Sequence, residues 1–490
     1  MSWSETRRIV SRRGFLSTIG TVAALGAGVV LLQACQQAAP SPTPAPKPTE
    51  ATKLAATTAP TTAPTAPTAA PKPTEALKPA AAATPTVAPK PAASGGKKDA
   101  NIWHTWQVKQ AEPLVNLTNE FNTKQSDVNA ILTFVPSDQM TQKIMAAIAA
   151  GNPPETMPGS PFNLPAFADA GGVKDLTEYT KTGELDIKDV YPGCVNIITY
   201  KGKVIAVPLT VGTQGYYMNE ELWKAAGLDP VEKPPKTWDD LIKYAQALNK
   251  PAEKQWGWML HNDGTNGTSQ IWASYLMQNG GEVLNAEMTK ATFNGPEGVE
   301  ALQFWVDLVN KYKVSPQAKV AGSDITQAYG TGKVGFFQEY PFYLGQIREL
   351  KFRSQTAPLT TKAKPGCLIG GWYFPVFAKS KQPEAGLTFL TWMFKPENQH
   401  RLNIGMGNLP TKTSTVNFPA YQDHLKKEPQ INAFVNQLAI AKAWPAHRAM
   451  PEITDSLGQA IQEALYMRST PKQALDNVAQ KTDALLKKAQ

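Results

Sequence analysis

The chain has 490 residues, with 49 Lys and Arg against 40 Asp and Glu, a formal charge of +9. Its length allows two to four domains. Residues 1–98 hold eleven of the basic residues against three Glu, a net of +8, which leaves only +1 for the other 392 residues. A basic nucleic-acid footprint on a folded domain is thereby excluded. The three cysteines, Cys35, Cys194 and Cys367, include no CxxC pair, so a zinc ribbon and a thioredoxin-type motif are excluded as well. Cys194 and Cys367 read as buried free thiols, because a core of this size needs no staple; pairing in an oxidising compartment is the alternative.

The chain opens with a targeting segment, residues 1–35. Arg12 and Arg13, in Ser11-Arg12-Arg13-Gly14-Phe15-Leu16, resemble the twin-arginine export signal. The apolar run from Ile19 to Leu32 is broken by Gly20, Thr21, Gly26 and Gly28. It is too short for a membrane span, which takes about 20 apolar residues, and it suits a signal-peptide core. Leu32-Gln33-Ala34-Cys35 resembles a bacterial lipobox, although Gln33 departs from the usual small residue. The resemblance implies that Cys35 is lipidated and becomes the mature N-terminus. A single acyl chain holds a protein only marginally, and bacterial lipoproteins carry several on one cysteine. Residues 36–98 are almost wholly Ala, Pro, Thr and Lys. Proline fixes φ and removes donors, so neither helix nor sheet is expected. At about 3.1 Å per residue such a polyproline-type tether reaches at most ~190 Å. A Thr- and Pro-rich stretch also suits an O-glycosylated stalk.

Residues 99–490 carry the folded domain. Asn101–Trp106 reads as a strand, and a helix with Pro113 in its first turn and Leu114, Leu117 and Phe121 on one face follows. Asn129–Val135 is a second strand. Ser137 is placed to cap the next helix, which carries Met140, Ile144 and Ile148 and stops at Gly151. This alternation signals an α/β architecture. Downstream, Thr237 caps a helix with Trp238, Leu241, Ala245 and Leu248 on its buried stripe. Val299 to Val309 mark another helix; Gly335-Phe336-Phe337 and Val376-Phe377-Ala378 read as short buried strands. The C-terminus is helical, with Leu457, Ile461 and Leu465 in one apolar row and Pro471 opening the last helix.

Several stretches, in order, resemble the bacterial extracellular solute-binding proteins of family 1, the maltodextrin-binding type. They are Met145–Pro154 (MAAIAAGNPP), with Glu155 in place of the usual Asp; Tyr200–Pro208; Tyr216–Trp223; Ala226–Leu228 with Pro234–Leu241; Gly330–Phe337; Gly370-Gly371-Trp372 with Ala378–Lys381; and Leu390–Gln399. The resemblance implies an α/β, two-lobe periplasmic-binding-protein-like fold, with a ligand cleft between lobes joined by hinge strands. Lobe 1 is then about 99–209 and 370–418, and lobe 2 about 210–369 and 419–490, with crossings near Pro208, Gly370 and Phe418-Pro419.

The implied function is the extracytoplasmic receptor of an ABC importer. It captures a small solute, an oligosaccharide, a monosaccharide or a glycerol-phosphate-type compound, with the aromatic-rich candidate cleft favouring a sugar, and hands it to a permease driven by a separate ATPase subunit. No cofactor or metal is expected, and a monomer is the default for a mobile receptor; the lipobox resemblance implies a tether through Cys35 to the outer face of the cytoplasmic membrane. Sugars offer an apolar C–H face, which aromatic rings cover, and a hydroxyl rim, which polar groups bond. Loop positions matching the family's cleft supply Trp106, Gln107, Ser160, Phe162, Gln214, Tyr216, Tyr340, Phe342, Gly371, Trp372, His447 and Arg448. Trp238, Trp305 and Trp392 fall on helix stripes and read as core.

An enzyme reading finds little support. Asp239 and Asp240, the closest carboxylate pair to a glycosidase's two, sit where a cap and the helix dipole account for them. The five histidines are scattered, and GxSxG, HExxH and phosphate-loop motifs are missing from suitable contexts. Asn262–Gly267 is oxygen-rich but lacks EF-hand spacing. A stalk-tethered carbohydrate-active enzyme and a sensory binding module are the alternatives.

Overall fold

In the computed structural model, which describes residues 96–488, the parallel pairing of β1 (Lys98–His104) with β2 (Val128–Phe134) starts the fold, Lys98 facing Val128 and His104 facing Phe134. The export signal, Cys35 and most of the tether lie outside the described residues. Parallel neighbours need a long crossover, and helix α1 (Val108–Lys124) supplies it, burying Ala111, Leu114, Leu117 and Phe121. The helix begins five residues before Pro113, so that proline lies inside it and not in its first turn. It deprives the Lys109 carbonyl of its helical partner. Helix α2 (Ser137–Ala149) buries Met140, Ile144 and Ile148 and ends before Gly151, whose φ of +70° is the left-handed stop expected of it. Ser137 is not its cap. Pro136 takes the extended cap position, and no side chain bonds the first turn.

The first layer grows through single bridges. Ile102 pairs with Thr156, Thr156 with Val376, and Val173 with Phe377. The stretch Val376–Ala378 is therefore extended and buried without a regular ladder. Glu155, 1% exposed, accepts the backbone N–H of Asn101 at 2.5 Å and of Gln382 at 3.0 Å. It thus ties the edge of β1 to the start of a later helix.

Strand β3 (Val207–Gly212) leaves this layer, and β4 (Gly215–Asn219) enters a four-stranded sheet. Helix α3 (Trp238–Leu248) precedes β5 (Trp256–Met259); helices α4 (Asn266–Gln278) and α5 (Pro296–Asn310) lead to β6 (Val334–Glu339) and then β7 (Ser354–Ala357). The order is β5-β6-β4-β7, with only the β5–β6 pair parallel. Every residue of β3, β4 and β6 is buried. The capping box at α3 accounts for Asp240: its carboxylate accepts the Thr237 N–H at 3.0 Å while Thr237 Oγ1 accepts the Asp240 N–H at 3.1 Å. Trp238 and Trp305 are core, whereas Trp392 is half-buried against Phe121.

The chain returns through β8 (Gly370–Phe374), antiparallel to β3. Helices α6 (Pro383–Met393) and α7 (Pro396–Met406) pack back on β1 and α1. The last two, α8 (Met450–Leu465) and α9 (Pro471–Lys488), pack on α4, α5 and each other. Cys194 and Cys367 are both free, and burial pushes each thiol up to about 12, which leaves them inert at neutral pH.

Gly371 is the tightest point of the β3–β8 ribbon. Its φ is +141°, and a Cβ there would stand 2.4 Å from the Thr210 carbonyl oxygen. Gly371→Ala therefore lowers folding stability by about 2 kcal/mol or more, measured as a fall in the denaturant midpoint at unchanged slope.

Candidate ligand-binding cleft

The β3–β8 ribbon forms a floor with two glycines at one end. Gly212 faces Gly370 across the ladder, and a Cβ on either would lie 3.2 Å from the ring of Tyr340. Tyr340 thus lies directly on the backbone of the crossing strands. Its hydroxyl accepts from Gln214 Nε2 at 2.9 Å and stands 3.3 Å from Gln270 Oε1. Phe342 stacks on it, ring centroids 5.9 Å apart and planes within 11°, and is 48% exposed. An exposed aromatic face backed by a locked one is a ready platform for an apolar ligand surface.

Further along the ribbon, Trp372 donates its backbone N–H to Thr210 Oγ1 at 3.3 Å. Its half-buried indole meets Trp106 edge-to-face at 6.0 Å, and Trp106 also packs on Phe374 and His104. Phe162 meets Trp444 at 6.1 Å. Ser160 is half-buried, its carbonyl taken by the Asn163 N–H, and Gln107 is exposed where α1 begins. His447 is half-buried. Burial, with help from Arg448, holds its pKa below the usual value, so it is a neutral imidazole above that range. Its Nδ1 accepts the Ala449 N–H at 3.2 Å. Arg448 is exposed and donates to the Lys488 carbonyl at 3.3 Å. Its charge also reaches Asp169, which Lys201 pairs at 2.6 Å.

Two of the expected residues do not reach this surface. Tyr216 has no exposed area; its hydroxyl bonds Thr360 Oγ1 at 2.9 Å, and its ring lies edge-on to Trp258 and Phe336. It belongs to the core because β4 is covered on both faces. Gln214 is also fully buried. Its Nε2 donates to the Gln270 carbonyl at 3.0 Å and to Tyr340; its Oε1 accepts from Ser274 Oγ and from Gln338 Nε2, each at 2.7 Å. All four hydrogen-bonding positions of the amide are used, and none is left for a ligand. Gly371 serves the ribbon's close approach, as its φ and contacts require.

Some features lay beyond sequence reasoning. A cavity of about 700 Å³ opens between the first turns of α1, the end of α7 and the segment 341–349; Pro113, Phe342, Arg348, Arg401 and Met406 are among its walls. Of the expected residues only Phe342 lines it. The signal was the pair Gly405 and Gly407. A Cβ on the first would strike Pro113 at 2.3 Å, and the second has φ +69°, where a Cβ would lie 3.4 Å from the Phe342 backbone. Three cations on the cavity have carboxylate partners: Lys109 with Glu349 (3.5 Å), Arg348 with Glu428 (3.2 Å) and Arg401 with Glu120 (2.7 Å). Trp444 was also missed. It is 4% exposed, and its Nε1–H, like Thr105 Oγ1 beside Trp106, has no hydrogen-bond partner.

The sequence pattern of a family described as bacterial extracellular solute-binding protein matches residues 105–400. The sn-glycerol-3-phosphate-binding periplasmic protein UgpB of Pectobacterium atrosepticum is 24% identical over 420 residues, 81% of this chain and 93% of its own length. Among solved structures, the cyclic alpha-maltosyl-1,6-maltose binding protein from Arthrobacter globiformis superposes with a TM-score of 0.72 at 29% identity, covering 80% of this chain and all of that one. Maltose-bound MalE3 of T. maritima superposes at 0.69 with 22% identity, covering 79% and 99%. The architecture is the two-lobe α/β fold of these proteins. With a match over well more than half of its length, the chain belongs to the bacterial extracellular solute-binding protein family.

Proposed function

We propose that this protein is the ligand-capturing subunit of an ABC importer, and that it holds a neutral sugar or oligosaccharide between its lobes and delivers it to a membrane permease. The observation that carries the ligand class is the pairing of aromatic faces with balanced charge. Phe342 is exposed at the cavity and Trp372 is half-buried beside Trp106, while Lys109, Arg348 and Arg401 on the cavity wall each pair with a carboxylate. A phosphate ester of the kind named for UgpB calls for charge-assisted bonds from unpaired cations. A sugar needs flat apolar faces and scattered polar groups.

The lobes we infer are 99–209 with 370–418, and 210–369 with 419–490. The step from β3 to β4, the return on β8 and the helix that opens at Pro419 support these crossings. Bending at such crossings would close the cleft on its ligand. The family consists of binding proteins, and Asp240 is occupied in capping, which favours a receptor over a carbohydrate-active enzyme. Permease and ATPase are then separate chains, and the receptor works as a monomer tethered through lipidated Cys35.

Thermal melting against neutral saccharides and sn-glycerol 3-phosphate tests the ligand class. A saccharide at 100 times its Kd adds about 2.7 kcal/mol, seen as a raised Tm. The Phe342→Ala and Trp372→Ala variants each weaken binding about tenfold or more. A shift with the phosphate ester and none with saccharides would overturn the neutral-ligand reading. Cys35→Ser tests the anchor: the wild type sediments with membranes, and the variant is recovered in the soluble exported fraction. A variant that still sediments after a salt wash refutes lipidation at this position.

A further inference from the structure

Beside Tyr340, three ionisable side chains are grouped: His261 and Glu339 are buried and Asp263 is half-buried. His261, 9% exposed, directs Nδ1 to Glu339 Oε1 at 2.7 Å and Nε2 toward Asp263 Oδ2 at 3.4 Å. Glu339 ends strand β6, is 3% exposed, and accepts the backbone N–H of Tyr340 on Oε2 at 3.3 Å. Asp263 begins the turn into α4. It accepts from the N–H and hydroxyl of Thr265, both at 2.8 Å, and from those of Thr268, at 3.3 and 2.8 Å. The same helix carries Gln270, whose carbonyl holds Gln214 and whose side chain meets the Tyr340 hydroxyl. The three side chains therefore grip Tyr340 from both ends: its backbone through Glu339, and its hydroxyl through the helix that Asp263 starts.

The surrounding backbone is shaped to this cluster. A Cβ on Gly267 would lie 2.8 Å from His261 Nε2 and 3.0 Å from Asp263 Oδ2. One on Gly322 would lie 2.5 Å from the Tyr343 hydroxyl and 2.9 Å from Glu339 Oε1. The groups facing His261 are Glu339 from β6 and Asp263 from its own turn, and Tyr343 faces Glu339 from the segment after it.

We propose that His261 is a positioning residue for the aromatic wall of the cleft, and that an imidazolium shared by Glu339 and Asp263 keeps Tyr340, and Phe342 stacked on it, in place. The inference rests on the cleft assignment above for its functional meaning. A neutral imidazole has only one N–H and satisfies one carboxylate. The other is left charged and buried without its counter-charge, a costly arrangement, and relaxes by loosening either the Tyr340 N–H or the 263–268 turn. Burial alone would lower the His261 pKa, but the hydrogen bonds and charges of Asp263 and Glu339 push it up to about 9. His261 and the N–H and hydroxyl of Thr265 hold the Asp263 carboxyl well below its usual range against burial. Because the folded value is raised from 6.5, the clamp is complete below that pH and is lost as pH climbs through about 9.

The test needs no ligand, so its failure is separable from failure of the sugar reading. The full chain is prepared with 4-fluorophenylalanine at position 342, and its ¹⁹F resonance is followed from pH 6 to 10 beside the ¹³C-labelled histidine signals. The expected result is one resonance at low pH that shifts or splits with the midpoint of His261's own titration. In His261→Gln the ¹⁹F signal is insensitive to pH over this range. In Asp263→Asn, which keeps the fold if the first variant loses it, the midpoint falls by about one unit or more. A wild-type ¹⁹F signal that stays flat while His261 titrates overturns the proposal. So does a pH response unchanged in both variants, or a His261 that shows no titration between pH 6 and 10.

Discussion

The molecule depends on the close approach of two crossing strands. At Gly371 the β8 backbone lies so near Thr210 that no side chain fits, and at the facing pair Gly212 and Gly370 the space a Cβ would need is taken by the Tyr340 ring. The aromatic ring packed on bare backbone makes the ribbon thin at this point. Residues 213 and 214 then carry the chain into the second sheet. They are anchored there by Thr213 Oγ1 on the Phe434 carbonyl at 2.7 Å and by the saturated amide of Gln214.

Gln214 explains why this passage is both polar and buried. A half-satisfied amide in such a place would cost roughly 1–3 kcal/mol. A fully bonded one instead specifies a single arrangement of α4, β6 and Tyr340. The network holds Tyr340 while Gln214 itself stays fully buried. The His261 cluster meets the same tyrosine through Glu339 at its backbone N–H, and the two clusters share the helix α4 that carries Gln270 and Ser274.

Charge is handled differently on the cleft surface. The cations at the 700 Å³ cavity are matched one by one with carboxylates, and two of the pairs, Arg348–Glu428 and Lys109–Glu349, are substantially exposed. Exposed pairs add little stability. The three pairs leave Lys109, Arg348 and Arg401 each with a carboxylate beside it.

Much of the architecture could be read before any coordinates. Composition separated the basic leader and Pro-rich tether from a near-neutral domain. The caps at Thr237 and Gly151, the stripe carrying Trp238 and the opening of the last helix at Pro471 are local events governed by nearby residues. The order of short motifs implied the family and with it two lobes. The starts of α1 and α2 were less legible, because extended backbone at Gln107 and Pro136, and not the nearest favourable residue, set them. Tertiary structure alone decided which aromatic side chains stay exposed. Tyr216 and Trp372 both flank crossings, but β4 is covered on both faces, whereas Trp372 stays half-buried on the ribbon. The cavity beside Phe342 was equally hidden, since it exists only where Gly405 meets Pro113 and Gly407 meets Phe342, contacts between segments far apart in the chain. Local sequence sets where helices begin and end through short-range hydrogen bonds, while the exposure of a side chain depends on what the rest of the chain packs against it.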